Sequence, residues 1–268
     1  MNITQKKRIL LLLVAMFSSI LVFSQQIKYK ASQLKHFEIY SKSLEELRKL
    51  TVYIPANFNS DSSYNIVFCT DGQFINEQYK IKLDSLFSTK TVSPFVIVGV
   101  HSNERQTPNS IIEYRYYEYT ENHKSNNPDL DTRFTRHLNF FVNEVDKFVN
   151  EEFNLKIKNK CFYGASNGAA FGVNVSKYYP ELFSKYLLCS TVSANYKNLK
   201  WKTKNYPFFI IRYGSKEIEP FIEHNQDFSK YLNKKHYKHI FESYDGGHDR
   251  ECWMNLFIKD LEKLQEKE

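Results

Sequence analysis

Lys160-Cys161-Phe162-Tyr163-Gly164-Ala165-Ser166-Asn167-Gly168-Ala169-Ala170 decides how the rest of the chain is read. An apolar run stops at Gly-x-Ser-x-Gly, and a small-residue helix opens directly after it. That is the strand, tight turn and helix of a nucleophile elbow. The serine must sit on a strained turn so that its hydroxyl projects from the top of a sheet. Side chains at the flanking glycine positions would collide with the neighbouring strand and helix. The pattern carries more weight in a chain with only eight glycines.

Outward from the elbow, apolar runs and amphipathic segments alternate. His36 to Leu44 and Leu47 to Ile54 read as strands of an antiparallel N-terminal hairpin, closed by Ile54-Pro55. Tyr64 to Thr70 and Pro94 to Val100 are apolar and β-branched, as buried strands are. Phe74 to Ser88 between them has helical spacing. Residues 101–130 read as a long polar loop rich in Tyr, Asn and Glu, and loops of that length are usually functional or disordered. Leu130 to Phe153 is predicted as one amphipathic helix. After the elbow helix, which runs through Tyr179, come strands at Tyr186 to Val192, Tyr206 to Tyr213 and His239 to Tyr244. Helices are expected at Phe221 to Leu232 and Trp253 to Leu264.

Alternating strands and helices predict an α/β fold, a mostly parallel sheet with helices on both faces. Ligands of such sheets bind outside the carboxyl ends of the strands. Gly72, Gly164, Gly168, Gly214, Gly246 and Gly247 all fall just past predicted strand ends. Only Gly99 and Gly172 do not.

A serine hydroxyl needs a base near neutral pH. In α/β-hydrolases the order along the chain is serine, acid, histidine. Of eight histidines, only His248 follows the final strand on a Gly-Gly turn. The acid belongs on the turn after the preceding strand, where Glu217 stands first. Glu219 is the substitute, and Asp249 ranks third because its adjacency to His248 makes the geometry awkward. The acid accepts the second imidazole N–H and fixes the tautomer. The developing oxyanion needs two preorganised donors. The Asn167 backbone N–H is one; the Gly72-Gln73 loop supplies the other, with Gln73 ahead of Gly72.

The 268 residues fit a single domain, and 42% hydrophobic with 25% charged is a globular composition. Net charge is +7, and without Lys6, Lys7 and Arg8 it is +7 − 3 = +4. That surplus steers anions weakly, and no basic cluster with interleaved aromatics points to nucleic acid. Residues 1–24 read as a secretory signal: a basic start, an apolar run from Ile9 to Phe23, and Val22 and Ser24 before a cut at Gln25. The apolar run is short of the roughly 20 residues of a membrane span; an uncleaved anchor is the alternative. A single domain over 25–268, periplasmic or secreted from a bacterium, is the expectation, with no stable membrane anchor after cleavage. Cys69, Cys161, Cys189 and Cys252 have no metal spacing; an oxidising compartment permits a disulfide that the sequence does not pair, and buried thiols are the first reading.

Taken together these segments resemble the "putative esterase" family of α/β-hydrolases, which includes esterase D and enterochelin esterase-like enzymes. Val67 to Gln73 resembles the family's apolar strand ending in Asp-Gly-Gln. Arg115 to Thr120 resembles its Arg-x-x-Glu-Tyr-Thr segment. Gly164 to Gly168, continued through Tyr179-Pro180-Glu181-Leu182-Phe183, matches its elbow. Gly246-Gly247-His248-Asp249 with Trp253 resembles the Gly-Gly-His-Asp-Trp-x-x-Trp ending of the siderophore-esterase branch. Arg250 stands where that branch often has its first tryptophan, Glu121 where a proline is usual, and Glu217 where aspartate is commoner.

The resemblance implies an α/β-hydrolase fold and a serine esterase. Ser166 would be the nucleophile, His248 the base and Glu217 the orienting acid, with no metal or organic cofactor. Arg250, Trp253 and Tyr119 are the expected substrate contacts. The tyrosines from Tyr114 to Tyr119 would either wall the acyl or alcohol pocket or belong to a solvated loop, and Arg250 would meet an anionic or phenolic group. The partner is then a small-molecule or oligosaccharide ester: a ferric siderophore or related polyester first, feruloyl or acetyl carbohydrate esters next. Acyl transfer and a non-catalytic binding module are the alternatives.

Overall fold

The computed structural model describes residues 29–108, 110–201 and 206–265. The chain divides into two units, Met1–Lys30 and Ala31–Glu268. Only Tyr29 and Lys30 of the first are described, so the signal segment expected over 1–24 lies outside the described residues.

In chain order the second unit runs β1 (Gln33–Ser41), β2 (Glu46–Ile54), β3 (Ser63–Cys69), a 3-10 turn (Gly72–Phe74), α1 (Glu77–Ser88) and β4 (Phe95–Val100). Then come α2 (Tyr114–Tyr119), α3 (Pro128–Asn139), a π-helical turn (Phe140–Val145), α4 (Asp146–Phe153), β5 (Lys156–Ala165) and α5 (Asn167–Tyr178). The last elements are β6 (Lys185–Cys189), β7 (Phe208–Gly214), α6 (Glu219–Lys234), β8 (His239–Tyr244) and α7 (Arg250–Gln265). One eight-stranded sheet has the order β1-β2-β4-β3-β5-β6-β7-β8. β1 and β2 form the antiparallel hairpin, β2 pairs antiparallel with β4, and all later pairs are parallel.

Alternation along β5 builds both layers, because successive strand side chains point to opposite faces. Phe162 enters the cluster with Phe141, Phe171 and Phe183, under α3 to α5. Cys161 and Tyr163 enter the cluster with Tyr79, Leu83, Phe257 and Leu261, under α1 and α7. Each such large apolar side chain, fully buried, contributes roughly 1.5–3 kcal/mol. A mostly parallel sheet with helices on both faces, entered through an antiparallel hairpin, is the α/β-hydrolase arrangement.

Two expectations need correction. The stretch 101–130 is not one loop: α2 forms inside it, and its last two residues, Glu118 and Tyr119, are fully buried. The helix expected over Leu130 to Phe153 starts at Pro128, with Asn127 as its N-cap, and loosens into π geometry at Phe140–Val145. Four apolar residues of that stretch, Phe140, Phe141, Val142 and Val145, are all buried. A straight 3.6-residue repeat cannot hold all of them on one stripe.

Candidate active site

Ser166 follows β5 and caps α5 with φ 56° and ψ −126°. A non-glycine residue there costs on the order of 1–3 kcal/mol, and the surroundings must over-determine it. They do so by close approach. A Cβ on Gly164 would sit 2.4 Å from the Gly168 carbonyl oxygen, and one on Gly168 would sit 2.3 Å from Thr70 Oγ1. The Ser166 N–H donates to the Cys189 carbonyl at 2.9 Å, tying the turn to β6.

His248 Nε2 lies 2.9 Å from Ser166 Oγ. Its Nδ1 lies 3.0 Å from Glu217 Oε1, and the Glu217 side chain is fully buried. A buried carboxylate opposite Nδ1 selects the tautomer protonated there, which leaves Nε2 to accept from the serine hydroxyl. The turns carrying acid and imidazole are laced together. Ser215 N–H donates to the Tyr244 carbonyl and Lys216 N–H to the Gly246 carbonyl, both at 2.9 Å. Gly214 makes room, since a Cβ there would sit 2.4 Å from the Gly246 oxygen. Glu219 instead opens α6 on the surface, and Asp249 accepts from the Cys252 N–H at 3.0 Å as a helix cap.

These groups open on a cavity of about 380 Å³ at the carboxyl ends of the strands. Its apolar floor includes Ile75, Tyr79, Tyr163 and Trp253, and its rim carries Glu104, Glu113, Arg115 and Arg250. The Arg250 guanidinium stacks 3.6 Å over the Phe74 ring. Trp253 packs edge-on against His248 with ring centroids 4.7 Å apart.

Gly72 and Gln73 form the 3-10 turn after β3, and Asn167 is the first residue of α5. First-turn N–H groups have no acceptor inside their own helix. These three residues do not line the cavity themselves; their chain neighbours Asp71, Phe74 and Ser166 do. The Gln73 side chain turns away to Ser102 Oγ at 2.6 Å and Glu104 at 2.8 Å.

Tyr119 does not wall the cavity. It is fully buried, and its hydroxyl accepts from the Asp71 N–H at 3.2 Å. The short helix points it inward, against Phe171 and His137. None of Tyr114, Tyr116 and Tyr117 lines the cavity either; Glu113 and Arg115 do. Arg115 is the residue that sequence reasoning missed. Burial disfavours its cation, but hydrogen bonds and charge from Asp71 outweigh that and raise its pKa above the ordinary value. The only signal for it was the Arg-x-x-Glu-Tyr-Thr spacing, which on a helix puts Arg115 and Glu118 on neighbouring turns.

Among the described residues no group of three His, Cys, Asp or Glu side chains is placed to hold a metal ion. No helix among them is long and apolar enough to cross a membrane. All four cysteines are free, and three are buried.

Comparison with known proteins agrees with this architecture. The protein YjcH of Bacillus subtilis (strain 168), itself uncharacterized, is 22% identical over 251 residues, which span 88% of this chain and 98% of that protein. A solved ferulic acid esterase superposes with a TM-score of 0.70 at 15% identity, covering 88% of this chain and 98% of its own. The siderophore hydrolase EstA from Aspergillus nidulans gives 0.66 at 16% identity, covering 87% and 95%. At those identities the two structures speak for the fold. The family described as "Putative esterase" matches residues 41–209, more than half of the sequence, and the chain belongs to that esterase family.

Proposed function

We propose that the chain is a serine carboxylic-ester hydrolase that works through an acyl-enzyme. The observation that carries this reading is the unbroken hydrogen-bonded line from buried Glu217 through His248 to Ser166 at the cavity floor. Ser166 Oγ attacks the ester carbonyl while His248 Nε2 takes its proton. The oxyanion is received by the Asn167 N–H and by the Gly72-Gln73 turn. The imidazolium, held by Glu217, then protonates the departing alcohol, leaving acyl-Ser166. Water attacks that ester as His248 removes its proton, and the acid leaves as Ser166 regains its hydrogen.

The test is hydrolysis of p-nitrophenyl acetate and butyrate by the wild type and by Ser166→Ala. Loss of turnover with the circular dichroism spectrum retained is expected. Equal turnover in the two proteins removes Ser166 from the mechanism.

For substrate class, a ferric siderophore or related polyester comes first. No carboxylate among the described residues pairs with Arg250, whose cation is spread over Phe74 at the cavity mouth. A stacked guanidinium suits a phenolate or an aryl ring. Parallel assays on a catecholate trilactone and on a feruloylated sugar decide it; cleavage of the sugar ester alone overturns the siderophore assignment. Export is part of the same reading. Amino-terminal sequencing of protein recovered outside the cytoplasm of an expressing bacterium should begin at Gln25, and an intact Met1 would exclude it.

A further inference from the structure

We propose that Ser190, Tyr244 and Trp253 form a hydrogen-bonded bracket that fixes the turn carrying His248, with Tyr244 as its positioning residue. The inference rests on the esterase reading for its kinetic consequence but not for its geometry. Tyr244 ends β8, four residues before His248, and its hydroxyl donates back to the Gly247 carbonyl at 2.8 Å. That bond closes the turn Asp245–Gly247 into a ring, and the next residue is the imidazole.

The same phenol oxygen sits 2.9 Å from both Ser190 Oγ and Trp253 Nε1. Trp253 Nε1 also reaches Ser190 Oγ at 2.8 Å. One consistent assignment satisfies every group. The indole N–H donates to both oxygens, the serine hydroxyl donates to the phenol, and the phenol donates to Gly247. Three elements, β6, β8 and α7, thus meet at one point beneath His248, and Trp253 presses its edge against that ring.

Ser190 shows that this point is held against resistance. It is fully buried and left-handed, with φ 51°. Two other non-glycine residues with positive φ stand at strand ends beside the cavity, Asp71 and Ser166. Left-handed serine in a dry site persists only where its neighbours demand it, and here the demand is the hydroxyl delivered to Tyr244 and Trp253. Burial, with the nearby Glu217 charge, raises the Tyr244 pKa, so the phenol keeps the proton it donates. Ser190 and Tyr244 do not line the cavity. Their effect on chemistry runs through the His248 imidazole and the Trp253 ring that packs against it at the cavity.

The experiment combines Tyr244→Phe and Ser190→Gly with kinetics on p-nitrophenyl butyrate and with crystal structures. Glycine accepts the left-handed backbone, so the second variant folds without the strain and still lacks the hydroxyl. The bracket predicts a kcat lower by about 10- to 100-fold with KM unchanged, the scale expected of a misplaced catalytic group. It also predicts a His248 ring moved out of hydrogen-bond reach of Ser166. A ring that stays in place overturns the proposal, whatever the rates. So does a moved ring with an unchanged kcat, or an activity loss no larger than the unfolded fraction. If the wild type hydrolyses no ester, the esterase reading falls, and the position of the ring alone decides the bracket.

Discussion

Arg115 closes on Asp71 through a fork, Nε to Oδ1 at 2.6 Å and Nη2 to Oδ2 at 2.8 Å. Asp71 is left-handed, with φ 57°, and directly precedes the Gly72-Gln73 turn proposed to receive the oxyanion. Tyr119 holds the Asp71 N–H from behind and lies 4.8 Å beneath the Arg115 guanidinium. The fork therefore fixes the loop as well as the rim of the cavity. Arg115→Lys keeps the charge but loses the two-point grip. It should cost about 1–3 kcal/mol in urea unfolding and lower kcat. Stability and kcat both at wild-type level would show that the loop stands without it.

Glu217→Gln and Glu219→Gln separate the two candidate acids. Glu217 faces His248 Nδ1 from a fully buried position, whereas Glu219 is exposed at the start of α6. The first change invites the wrong imidazole tautomer and should lower kcat by about 10²- to 10⁴-fold. The second should leave kcat as it is. Reversal of that order would reassign the acid.

Gly168→Ala places a methyl 2.3 Å from Thr70 Oγ1 and 3.1 Å from Asp71 Oδ2. The overpacking should destabilise by about 1–3 kcal/mol. Thr70→Ala removes the nearer atom, so the double variant should recover part of the loss in a thermodynamic cycle. Strict additivity of the two changes would mean that the contact is relieved elsewhere.

His137 makes stability depend on acid pH. Its ring is fully buried among Tyr119, Phe140, Phe141 and Phe171. Burial, reinforced by the charges of Arg48 and Arg133 against the pull of Glu118, lowers its pKa from 6.5 to about 3. The unfolded chain takes up the proton first. Stabilisation by the neutral ring is therefore complete above about pH 6.5 and is lost as pH falls toward about 3. By pH 5 this one group should account for about 2 kcal/mol. His137→Phe should flatten that limb of the stability–pH curve, because Glu118 keeps Arg48 at 2.6 Å and Arg133 at 2.9 Å. Equal acid sensitivity in the two proteins would place the titration elsewhere.

The cysteines give a labelling test. Burial raises the thiol pKa of Cys161 to about 11, and burial likewise raises Cys69 and Cys189. In native protein near neutral pH, Ellman's reagent should reach Cys252 alone, with the other three appearing after denaturation. Rapid labelling of two or more native thiols would contradict this packing.

Strand and helix placement was legible because the core is written in local periodicity. His239–Tyr244 is a strand with the bounds read from its apolar pattern, β3 ends at Cys69 just before Thr70-Asp71-Gly72, and β5 ends at Ala165 inside the Gly-x-Ser-x-Gly turn. The stretch 101–130 was not legible as structure, because its helix is short and its buried groups are Glu118 and Tyr119. A polar residue reads as exposed until its partners are known. Those partners, Arg48, Arg133 and Asp71, come from 15 to 70 residues away.

By itself the sequence determined which chemical groups exist and on which turn each stands: a serine between glycines, a carboxylate after β7, an imidazole after β8. Local backbone preference and apolar alternation are enough for that. Only the tertiary structure decided which carboxylate faces the imidazole, that Tyr119 supports the site instead of lining it, and that Arg115 belongs to the cavity. Those outcomes depend on distances between segments far apart in the chain, and such distances are set by how the two faces of the sheet pack.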